Sequence, residues 1–74
     1  MIRVDLTKTD QELSQDIAKQ CSDFGVVNSV KIHRGLKQFA IVEMVTHDAA
    51  LNLSEHYRRT SIGNGVLIYL EQKD

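Results

Sequence analysis

The chain has 74 residues, a formal net charge of −1, 42% hydrophobic and 26% charged residues. That length suits one domain, 1–74, with a thin core, because so small a chain buries only about 60% of its unfolded surface. The near-neutral charge counts against gripping duplex nucleic acid by bulk electrostatics, which needs many Lys and Arg, but not against stacking on single strands.

Ile2-Arg3-Val4-Asp5-Leu6 alternates apolar and polar, the period of a strand with Ile2, Val4 and Leu6 facing inward. Thr9-Asp10-Gln11-Glu12 is a capping box that starts a helix. Leu13, Ile17 and Cys21 recur every four residues as its apolar face, Phe24 packs inward after it, and Gly25 stops it. Val26 to Ile32 is a second strand; the step of three from Val27 to Val30 predicts a bulge near Asn28. His33 to Leu36 is a loop, and Lys37 to Val45 a third strand. Thr46 or Asp48 caps a second helix that runs to about Arg59, with Ala49, Ala50, Leu53 and Tyr57 as its stripe. Ile62-Gly63-Asn64-Gly65 is a turn, Val66 to Glu71 the last strand, and the polar end from Glu71 to Asp74 is expected to fray.

The order is β-α-β-β-α-β. It predicts an α+β, ferredoxin-like sandwich: a four-stranded antiparallel sheet, built of two split β-α-β halves, with two helices on one face. The other face is open. Alternation puts Arg3, Asp5, Ser29, Lys31, Phe39, Ile41, Glu43, Leu67 and Tyr69 on it, although a one-residue slip would bury Tyr69. An exposed apolar patch on a small domain marks a binding surface, and Phe39 can stack a base.

Here the chain resembles the RNA recognition motif (RRM) family. Lys37-Gln38-Phe39-Ala40-Ile41-Val42-Glu43-Met44 is similar to the family's octamer K/R-G-F/Y-G/A-F-V-x-F/Y. Phe24-Gly25-Val26-Val27-Asn28-Ser29-Val30-Lys31-Ile32 looks like its "FG-x-I-x-x-V-x-I" run. The departures are Gln38 for the octamer's glycine, Ile41 for its second aromatic, Met44 for a third aromatic that faces the core, Arg3 where a stacking aromatic usually stands in the first strand, and Leu6-Thr7 where the first-strand motif has an asparagine. The resemblance implies a single-stranded RNA-binding module rather than an enzyme. Phe39 would stack a base and Ile41 make apolar contact, while Arg3, Lys31 and Lys37 meet phosphates or base edges. Tyr69 and the main chain at Gln72 and Lys73 complete the expected RNA-binding set.

The alternative is a protein-interaction or self-association module with weak or no RNA binding, suggested by the acidic balance and the missing surface aromatics. Arg58-Arg59 serves the helix dipole or contacts RNA or an acidic partner. His33, His47 and His56 lack metal-ligand spacing, and the lone Cys21 forms no intramolecular disulfide, so neither metal nor cofactor is expected. Cys21 is read as a small core residue in a reducing, intracellular setting. No apolar run approaches the ~20 residues of a membrane span.

Overall fold

In the computed structural model, which describes residues 1–74, the first strand stops early: β1 is only Ile2–Val4. The Asp5 carboxylate accepts from the Thr7 hydroxyl at 2.6 Å and the Thr7 backbone N–H at 3.0 Å, a side-chain turn that diverts the backbone from the ladder. Those two bonds hold the Asp5 carboxyl below its ordinary pKa.

Helix α1, Asp10–Cys21, has the complete capping box: the Thr9 hydroxyl accepts from the Glu12 N–H and the Glu12 carboxylate from the Thr9 N–H. It buries Leu13, Ile17 and Cys21 and passes into a 3-10 turn, Ser22–Phe24. At Gly25 φ is +146°, and a Cβ there would fall 2.5 Å from that of Ala49, so both conformation and space require glycine. β2 is Val27–His33, and its register against β3, Phe39–Met44, shifts between Val27 and Ser29, the bulge expected at Asn28.

Thr46 caps α2, His47–His56, by accepting from the Ala49 N–H at 3.1 Å. The helix ends before Arg59 because Arg58 turns left-handed, φ 55°. The Arg58 N–H then donates to the Glu55 carbonyl and the Arg59 N–H to that of Ser54, the closed pattern usually built around glycine. β4, Ser61–Ile62, folds back through Gly63 and Asn64 onto β5, Gly65–Gln72. The expected turn is therefore shorter than Ile62–Gly65, and Ile62 belongs to a strand.

The expected four-stranded antiparallel sheet is corrected. The sheet has five strands and is mixed, in order β1-β5-β3-β2 with β4 also against β5. β1 runs parallel to β5, Ile2 beside Leu70, whereas β5, β3 and β2 are antiparallel neighbours. In two split β-α-β halves each crossover would span one strand. Here α1 crosses two, β5 and β3, and α2 with β4 joins strands that are neighbours. The physical reason is length. A central strand needs partners on both edges; β1 offers three residues, whereas β5 offers eight.

One face of this sheet carries the core. Ile2, Val4, Ala40, Val42, Met44, Val66, Ile68 and Leu70 form a single buried cluster with Leu13, Ile17 and Cys21 of α1 and Ala49, Ala50 and Leu53 of α2. Both helices thus pack on the same side. Phe24 and Tyr57 close the cluster's rim, only partly buried. The chain end does not fray at Glu71: β5 reaches Gln72, and the Lys73 N–H donates to the Val4 carbonyl at 3.0 Å.

Candidate nucleic-acid interface

The side chains that alternate with the core residues lie on the sheet's other face. Register brings His33, Phe39 and Tyr69 side by side across β2, β3 and β5. Lys31, Ile41 and Leu67 form the next row, and Ser29, Glu43 and Gly65 the third. The outward assignment of Leu67 and Tyr69 is the register observed.

The first row is a preassembled set of rings. His33 and Phe39 stack with centroids 4.7 Å apart and planes 13° from parallel, and Tyr69 meets Phe39 edge-on at 6.3 Å. One face of Phe39 is therefore taken by His33. That face of Phe39 is not free for another planar group.

Cations surround the row. The Arg59 guanidinium lies 4.9 Å from the Tyr69 centroid and the Lys37 ammonium 5.8 Å. Arg59 reaches this position through a gap in the sheet. The outer edge of β5 pairs with β4 at Gly65–Val66 and with β1 from Leu70, leaving residues between them without a strand. The Arg59 Nε donates to the Leu67 carbonyl in that gap, at 3.2 Å. The molecule's three ion pairs are Arg3–Asp74, Lys8–Asp16 and Arg34–Asp10, so Lys31, Lys37 and Arg59 carry charge without an acidic partner. Six acids sit on or beside the helices: Asp10, Glu12, Asp16, Asp23, Asp48 and Glu55.

Other expected residues lie apart from this row. Arg3 faces outward but at the β1 edge, beside Glu71 and 3.8 Å from the Asp74 carboxylate. Gln72 is occupied: its side-chain carbonyl accepts from the Leu6 N–H at 2.8 Å and its amide donates to the Lys73 carbonyl. On the β1 side the Lys73 N–H donates to the Val4 carbonyl, and Gln72 stands in register with Val4.

His33 and Arg59 are the residues sequence reasoning missed as specific members of the row. His33 was legible, since Ser29-Lys31-His33 continues the outward alternation of β2. Arg59 was not, because its placement depends on the left-handed Arg58 and on the gap beside β5. Elsewhere, no three His, Cys, Asp or Glu side chains are grouped to hold a metal ion, and no helix is long and apolar enough to cross a membrane. Comparison with protein families, curated proteins and solved structures gives no match for this chain.

Proposed function

We propose that the chain is a single-stranded RNA-binding module of RRM-like character that uses the open sheet face. The observation that carries this is the aromatic row His33–Phe39–Tyr69 with Lys31, Lys37 and Arg59 beside it, none of them in an ion pair. Rings supply stacking that tolerates any base, and unpaired cations supply phosphate contacts. The octamer-like third strand adds support. The strand order does not, so the proposal rests on the surface rather than on the layout. Arg3 and Lys73 line the β1 edge and serve as outlying phosphate contacts.

Titration of short RNA strands, followed by amide shifts and anisotropy, tests it. Shifts are expected at His33, Phe39, Ile41 and Tyr69. Phe39→Ala is expected to weaken binding by about 1–3 kcal/mol, roughly 5- to 150-fold. Shifts confined to the helices, or none at millimolar RNA, would overturn it.

A second reading, self-association through the same face, is favoured by Ile62. This exposed side chain adjoins Ile41 and Leu67 around a concavity of about 360 Å³. It predicts a mass by light scattering that rises with concentration and falls back in Phe39→Ala.

A further inference from the structure

The loop between β2 and β3 is short and held at both ends. The Arg34 guanidinium donates to the Leu6 carbonyl at 3.0 Å, the Lys8 carbonyl at 2.9 Å and the Asp10 carboxylate at 2.7 Å. It also reaches the Gln38 side-chain oxygen at 3.3 Å, and the Gln38 backbone carbonyl accepts from the Leu70 N–H. Between these anchors stand only Gly35, Leu36 and Lys37, and the Leu36 side chain is fully exposed. A rigid loop that holds a leucine out in water gains nothing in the folded monomer.

The surroundings of Leu36 suggest what it meets. Two open concavities of similar size adjoin it, and Leu36 and Lys37 line both. One, about 530 Å³, is bounded by His33 and Phe39; the other, about 510 Å³, by Tyr69 and Met1. Each is lined by Leu36, Lys37 and at least one aromatic ring, and the Lys37 ammonium lies 5.8 Å from the Tyr69 centroid. Each has room for one planar base, and the phosphate linking two such bases would pass close to Lys37.

We infer that Leu36 is a wedge that separates two adjacent bases of a bound single strand, one base entering each concavity beside the aromatic row. In duplexes, apolar side chains, leucine among them, insert between base steps and unstack them; on a single strand a wedge would have only stacking to overcome. The inference deepens the proposed function and rests on it: it assigns the site two neighbouring, unstacked nucleotides. Arg34 is a positioning residue, because it fixes the loop that carries the wedge.

Short single-stranded RNAs with a central pair of adjacent 2-aminopurines, prepared with each of the four bases as flanks, test it. Stacking quenches 2-aminopurine, so wedging raises its fluorescence, while anisotropy of the same sample reports binding. The expected result is a several-fold rise on saturation with wild-type protein and little or none with saturating Leu36→Ser, a surface change that leaves the core intact. Arg34→Gln, which loses most of the anchors, is expected to give an intermediate rise. Binding with no fluorescence rise, or an equal rise with Leu36→Ser, overturns the wedge and leaves the RNA-binding face standing. No binding to any flank set overturns both. A change in molecular mass with Leu36→Ser, without a change in fluorescence, assigns the leucine to a protein contact and overturns the wedge.

Discussion

Cys21 is fully buried at the end of the α1 face, and burial pushes its thiol from 9.0 up to about 11. A buried thiol with a raised pKa is neutral and unreactive at neutral pH. The raised value also sets the sign of a pH effect. The folded state favours the protonated thiol, so its contribution is complete below pH 9 and is lost as pH rises toward about 11. The expected loss is about 2 kcal/mol over that window, at 1.36 kcal/mol per pKa unit less some solvent relaxation. Tyr57, whose hydroxyl burial also raises, adds a smaller effect of the same sign at higher pH. Urea unfolding at pH 8 and pH 10.5 measures this. Cys21→Ala should be less stable at pH 8 through its cavity, but should show a shallower decline with pH. Equal declines in the two proteins would mean that the thiol titrates as if exposed.

At the scale of the element, α2 ends on an unusual residue. A left-handed backbone costs a non-glycine residue roughly 1–2 kcal/mol, and Arg58 adopts it at φ 55°. Its side chain makes no hydrogen bond or ion pair to offset that cost. Arg58→Gly should therefore stabilise the fold by about 0.5 kcal/mol, after the greater unfolded freedom of glycine is counted. Denaturant midpoints check this, and a loss above about 1 kcal/mol would reveal an energetic role for the Arg58 side chain. The same terminus explains how far sequence reached. Apolar spacing located α1 and α2, the Thr9 box and the Asn28 bulge, because each is written within a few neighbouring residues. The alternation of β2, β3 and β5 placed Phe39, Ile41, Leu67 and Tyr69 on one face for the same reason. What it missed depends on distant partners: that Asp5 would close β1 so soon, that Ile62 would pair as β4, and that Arg59 would fill the gap beside β5. The β-α-β-β-α-β order allowed more than one arrangement of strands; in the one adopted the eight-residue β5 is central and the three-residue β1 lies at the border.

For the whole molecule, that choice has a measurable consequence. β5 pairs with β3 over Gly65–Tyr69 on one side, and on the other with β4 at Gly65–Val66 and with β1 at Leu70–Gln72. β1 adds three residues at the sheet's border, and the Arg3 carbonyl accepts from the Gln20 side chain rather than from another strand. A short border strand opens by local fluctuation, whereas the central pair opens only with the core. Native-state hydrogen exchange should therefore find the slowest amides in β3 and β5, around Val42, Ile68 and Leu70. Ile2 to Val4 should exchange faster, at rates set by local opening. In the split β-α-β layout expected from the sequence, the first strand would lie between two others. Its amides would then exchange as slowly as those of β3. Slow exchange at Ile2–Val4 would thus restore that layout, while fast exchange there, beside a protected β5, fits the order β1-β5-β3-β2. The aromatic row tolerates either outcome less evenly. Phe39 and Tyr69 are cross-strand neighbours only because β3 and β5 are adjacent. A strand inserted between them would pull the rings about 10 Å apart, twice the strand spacing, and dissolve the row on which RNA binding is proposed.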